Sequence, residues 1–121
     1  MESNEKCLCN TGSFNVVCCS GASDLGHLSD IIARKLSSNK VRRMNCLAVI
    51  ANGNTSLIET YKQANVLAID GCSGDCSKKI LERARITDFN HLRLSDLNYK
   101  KGETPTNEEE IDSIYEIAKN I

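Results

Sequence analysis

The sequence predicts a small three-layer α/β domain, a mostly parallel sheet of about four strands with helices on both faces. Short apolar runs alternate along the chain with segments whose apolar residues recur at helical spacing, the pattern of repeated strand–helix units. The run Val66-Leu67-Ala68-Ile69 is apolar at every position, as a strand covered on both faces must be. The length, 121 residues, suits one domain able to bury a core without disulfide or metal staples.

Residues 1–12 are polar and read as an arm, leaving residues 13–121 as a single α/β domain. Phe14-Asn15-Val16-Val17-Cys18 is a short apolar run that suits a buried first strand. Ser20-Gly21-Ala22-Ser23 has turn chemistry, and Ser23 is placed to cap the helix that follows. That helix carries Leu25, Leu28, Ile31, Ile32 and Leu36 on one face and stops at Ser37-Ser38-Asn39-Lys40. The next stretch has two readings. Either Cys46-Leu47-Ala48-Val49-Ile50-Ala51 is the second strand, or the strand is Val41 to Asn45 and a helix starts at residue 47; periodicity cannot arbitrate so short a run. Ser56-Leu57-Ile58-Glu59 has the form of a capping box opening a helix with Leu57, Ile58, Tyr61 and Ala64 on one face. The third strand, ending at Asp70-Gly71-Cys72, is followed by a helix with Cys76, Ile80, Leu81 and Ala84. His91-Leu92-Arg93-Leu94 alternates as an edge strand does. Pro105-Thr106-Asn107-Glu108-Glu109 starts the last helix, with Thr106 and Glu109 matching a capping box and Ile111, Ile114, Tyr115, Ala118 and Ile121 forming its stripe. The expected strand order is 2-1-3-4, as in flavodoxin-like and Rossmann-like sheets.

Lys and Arg number 15 against 16 Asp and Glu, a net charge of -1, and there is no Trp. Such a surface offers neither the basic footprint nor the stacking platforms of a nucleic-acid binder, so no nucleic-acid partner is expected. The longest apolar stretch, from Cys46 to Ala51, is too short to span a bilayer, and the first residues lack the apolar core of a secretory signal. The expectation is a cytoplasmic protein without a membrane partner. Seven cysteines then suggest metal or redox chemistry before structural disulfides.

Sites in such folds lie at the carboxyl ends of the strands. Cys18 and Cys19 end the first strand, Cys72 follows the third, and Cys76 lies one helical turn later. If the second strand is Val41 to Asn45, Cys46 shares that edge. Cys19, Cys46, Cys72 and Cys76 could then converge as a tetrahedral thiolate site of the kind zinc takes, one ion per chain. Two other chemistries suit the same thiols: dithiol–disulfide exchange or sulfur transfer using Cys72 and Cys76, and an iron–sulfur cluster. Cys18, pointing the other way from Cys19 in an extended chain, reads as a buried apolar residue.

Three blocks carry a family resemblance: Cys19-Ser20-Gly21-Ala22-Ser23, Cys46-Leu47-Ala48, and Ile69-Asp70-Gly71-Cys72 with Cys76-Ser77-Lys78-Lys79. Together with Leu94-Ser95-Asp96-Leu97 and Lys100-Lys101-Gly102, they resemble the DGC-domain family, zinc-binding proteins named for an Asp-Gly-Cys motif. The resemblance implies a cytoplasmic α/β protein with a four-cysteine site at Cys19, Cys46, Cys72 and Cys76; a zinc thiolate protein of that kind would serve structure, sensing or metal handling. The resemblance implies no reaction.

The other polar candidates read as structural. Asp70 suits either backbone N–H bonds from the turn that carries Cys72 or a simple Asx-turn; Asp24 and Asp75 suit helix starts; His27 and His91 read as structural; and Cys7 and Cys9 belong to the arm. Walker, Gly-x-Gly-x-x-Gly, phosphate-binding cysteine-loop and His-Glu-x-x-His patterns are all missing.

Overall fold

The computed structural model describes residues 13–104 and 106–121, so the expected arm with Cys7 and Cys9 lies outside the described residues, as does Pro105. The elements follow in the order β1 (Phe14–Cys18), α1 (Asp24–Ser38), β2 (Arg43–Met44), α2 (Leu47–Ala51), α3 (Thr55–Gln63), β3 (Asn65–Asp70), α4 (Cys76–Arg83), β4 (Asn90–Arg93), a 3-10 turn (Leu94–Leu97) and α5 (Glu108–Lys119). All strand pairs are parallel and the sheet order is β2-β1-β3-β4, the expected order.

Alternation along the strands divides the core in two. Val16 and Cys18 of β1, Leu67 and Ile69 of β3, and Leu92 of β4 pack under α1 and α5, joined by Leu25, Leu28, Ile32, Leu36, Ile114 and Ala118. Val17, Val66 and Ala68 face the other way and pack with Ile50 of α2, Tyr61 of α3, and Leu81 and Ile86 at α4. In register, Val16 lies beside Leu67 and Ile69 beside Leu92, so apolar rows run across the sheet on the first face. The inward-facing Cys18 holds, and so does the expected α1 stripe at Leu25, Leu28, Ile32 and Leu36, while Ile31 is only half-buried and lies outside it.

The second strand takes the earlier of its two readings. Arg43 and Met44 pair with β1, and Asn45 N–H adds a bond to Val16 O at 3.1 Å. Cys46 then stands at the N-cap of α2, at the carboxyl edge of the sheet. Ser23 caps α1 as expected, its hydroxyl accepting from Gly26 N–H. The other two caps are shifted. Asn54, not Ser56, caps α3 by accepting from Leu57 N–H, and Asn107, not Thr106, caps α5 by accepting from Glu110 N–H. In each case an asparagine earlier or later by one or two residues has the extended backbone a cap needs. The last strand ends at Arg93, and Leu94 begins the 3-10 turn.

Candidate metal centre

The Asp-Gly-Cys segment forms the turn out of β3. Asp70 is 1% exposed, and its carboxylate accepts two backbone N–H bonds from the first turn of α4: Ser77 N to Oδ1 at 2.8 Å and Lys78 N to Oδ2 at 3.1 Å. A carboxylate at that place satisfies N–H groups the helix itself leaves unpaired and complements its dipole. Of the two readings of Asp70, backbone bonding is the one observed, but it reaches past the turn into the helix. Gly71 has a steric reason to be glycine: a Cβ there would meet the backbone and Cβ of Leu25 at 2.8–2.9 Å. The turn therefore lies directly against the first turn of α1.

Asp70 faces the same side of the sheet as Val66 and Ala68, and in β4 that side is taken by His91 and Arg93, with Leu92 turned to the other core. His91 Nε2 lies 2.8 Å from Asp70 Oδ2 and 3.7 Å from Asp75 Oδ1. Asp75 begins α4, as expected, but its side chain does not cap the helix. Its backbone is left-handed, with φ +50°, and its carboxylate is gripped by the Arg93 guanidinium, Nε to Oδ1 at 2.8 Å and Nη2 to Oδ2 at 2.6 Å. That fork holds the Asp75 carboxyl below the usual carboxylate range and pushes Arg93 up, with Asp96 adding a weaker contribution to the latter.

Asp70, Asp75 and His91 thus bring one ligand atom each to within 4.8 Å of one another. Donors around a tetrahedral ion with bonds of about 2.0–2.2 Å stand roughly 3.3 Å apart, a spacing that the observed 2.8 and 3.7 Å straddle. The triad could chelate a divalent cation. Two carboxylates and one imidazole would supply three ligands and leave a position open, the form of an exchangeable site.

The cysteines do not converge, which corrects the four-cysteine expectation. Among the described residues no cysteine takes part in a group of three or more close metal-ligand atoms, and Cys18, Cys19, Cys46, Cys72 and Cys76 are all free thiols. Each thiol has its own surroundings. β1 leads into α1 on the first face, and Cys19 follows it, Sγ 3.3 Å from Ser29 Oγ of α1. β3 leads into α4 on the second face, where Cys76 is exposed, while Cys72 packs back against the first core. Cys46 is exposed at the sheet edge and shares with Cys19 a cleft of about 640 Å³ walled by Met44, Leu47 and Ile80. The position of Cys46 at the carboxyl edge was read correctly; convergence with Cys72 and Cys76 does not follow from it. The same geometry removes the iron–sulfur alternative and the Cys72–Cys76 thiol exchange or sulfur transfer, since no disulfide-forming pair exists among the described residues. Cys18, 3% exposed, is pushed up to about 11 by burial, partly offset by the Ser20 hydroxyl 2.9 Å from its sulfur.

None of the three candidate ligands is among the cysteines the sequence points to: Asp70, Asp75 and His91 all read from the sequence as turn, helix-start or structural residues. Alternation about Leu92 is the signal that places His91 and Arg93 together on one face.

No helix among the described residues is long and apolar enough to cross a membrane. No solved structure matches the chain. It is 31% identical over 87 residues to the anaerobic and virulence modulator AnvM of Pseudomonas aeruginosa, a match covering 71% of this chain and 66% of that protein, just under two thirds of its length. The family model for the DGC domain matches residues 15–118, from within β1 to the last turn of α5, and the chain belongs to the DGC-domain family.

Proposed function

We propose that this protein is a regulatory module that binds one divalent cation, zinc being the ion we assign, on Asp70, Asp75 and His91. The observation that carries the reading is the prebuilt carboxylate of Asp70, buried and fixed by two helix N–H groups, with an imidazole nitrogen 2.8 Å away. Ligands already held in place cost little ordering entropy when an ion arrives, and Ser77 and Lys78 act as the outer partners that orient the first ligand. Zinc suits a mixed set of nitrogen and carboxylate oxygen, where magnesium and calcium prefer oxygen alone. A role in regulation is supported by the related protein of Pseudomonas aeruginosa, named a modulator. A cytoplasmic setting without a nucleic-acid partner remains part of the proposal, the latter resting on the net charge of -1.

The test is zinc titration of metal-free protein against a chromophoric chelator. The expected result is about one equivalent bound per chain, with affinity falling by at least about 100-fold in His91→Ala and in Asp70→Asn, more than the loss of an outer partner costs. Uptake that is unchanged in both variants would overturn the assignment.

A further inference from the structure

We propose that Arg93 is an internal plug of this site: its guanidinium occupies the Asp75 carboxylate, and a divalent cation enters by exchanging with it. The inference rests on the triad as the metal site and concerns how that site is regulated. Arg93 takes one lone pair of each Asp75 oxygen, at 2.6 and 2.8 Å, and its Nε bond falls on Oδ1, the oxygen that faces His91, so a full positive charge stands where an ion would have to share the carboxylate. The Asp75 side chain is 12% exposed and spends nothing on capping its own helix, so Arg93 is what fixes its direction. An ion beside His91 and Asp75 would place its charge a few ångström from the guanidinium, a repulsion that favours departure of Arg93.

The structure also supplies the place where Arg93 goes. Its Nη1 already lies 3.2 and 3.3 Å from the two oxygens of Asp96, which sits in the 3-10 turn after β4 and is 62% exposed. Arg93 therefore bridges two carboxylates, one nearly buried and one in solvent. Release of the first leaves it paired with the second, and no charge is stranded. In the metal-free state the buried carboxylates keep a counter-cation; in the loaded state the ion replaces it. Such an exchange sets the affinity below what the three ligands alone would give and keeps the ion exchangeable.

The experiment titrates the full chain with Zn²⁺ against a chromophoric competitor and, separately, with Mn²⁺ followed by the EPR signal of the free ion. The proteins are the parent, Arg93→Gln, Arg93→Lys, Asp96→Asn and Asp70→Asn, each checked for folding by circular dichroism. Arg93→Gln, which removes the plug, is expected to bind roughly tenfold more tightly. Asp96→Asn, which removes the displaced partner, should bind about two- to threefold more weakly. Arg93→Lys keeps the charge without the fork and should fall between the parent and Arg93→Gln. If the parent binds in a manner abolished by Asp70→Asn but Arg93→Gln binds no more tightly, the plug is wrong and the triad stands. If binding is indifferent to Asp70→Asn, or no protein in the series binds either ion, the triad itself is wrong, and the plug with it. Binding by Arg93→Gln where the parent shows none supports the plug in its strongest form.

Discussion

Asp70→Asn removes one oxygen from a place where three donor-bearing groups meet. In the parent, Oδ1 accepts from Ser77 N and Oδ2 accepts from Lys78 N while facing His91 Nε2. Asparagine offers one acceptor and one donor in the same volume. If its oxygen faces Ser77, its NH₂ faces the N–H of Lys78; if flipped, it faces that of Ser77. Either way one backbone donor at the start of α4 loses its acceptor, and Ser77 is fully buried. Losing a charge-assisted bond costs about 1.5–3 kcal/mol and leaving a buried donor unmade about 1–3 kcal/mol; the two overlap, so the expected loss is about 2–4 kcal/mol. With a urea slope of about 1–3 kcal/mol per M, the unfolding midpoint should drop by roughly 1–3 M. The assay is urea unfolding followed by circular dichroism with chelator present, so that no metal contributes. A midpoint within about 0.3 M of the parent's, at unchanged slope, would refute the claim that Asp70 is the anchor joining β3 to α4.

Gly71→Ala should destabilise by about 1–3 kcal/mol, because its Cβ would press on the Leu25 backbone at 2.8 Å; a thermal scan showing no loss would contradict that close approach. Cys18, with its native pKa raised to about 11 from 9.0, contributes stability that is whole below pH 9 and lost as pH rises toward 11, because only the unfolded chain ionises in that window. Unfolding midpoints measured between pH 8 and pH 11 should therefore fall in the parent and fall less in Cys18→Ala; parallel profiles would contradict it. At neutral pH an alkylating reagent should modify the exposed Cys46 and Cys76 well before Cys18, as peptide mapping would show.

Where one physical effect dominates, the sequence was enough. β3 was legible because a strand covered on both faces has no polar position between Val66 and Ile69, and α1 because its stripe and the Ser23 cap agree. β2 was ambiguous because two paired residues carry no periodicity. The caps of α3 and α5 slipped because several capping residue types stand side by side, and the backbone angles choose among them. The candidate site failed for a related reason. Proximity to a strand end was visible for Cys19, Cys46, Cys72 and Cys76, but the face to which each connection turns was not. In the structure Cys19 lies against Ser29 of α1, Cys72 packs on the first core, and Cys46 and Cys76 are exposed. His91 and Asp75 were hidden because their meeting depends on the register of β4 against β3, with Asp70 beside Arg93. That register is set by long-range packing, with Leu92 and Ile69 as neighbours in one core, and no short motif records it.

X-ray absorption at the zinc edge reads directly which atoms hold the ion. Protein loaded with one equivalent of zinc should show a first shell of nitrogen and oxygen at about 2.0–2.2 Å, as Asp70, Asp75 and His91 would give. The shell should lose its imidazole signature in His91→Ala and be unchanged when Cys19, Cys46, Cys72 and Cys76 are all serine. A sulfur shell at about 2.3 Å that disappears in the serine variant would contradict the account and return the ion to the cysteines.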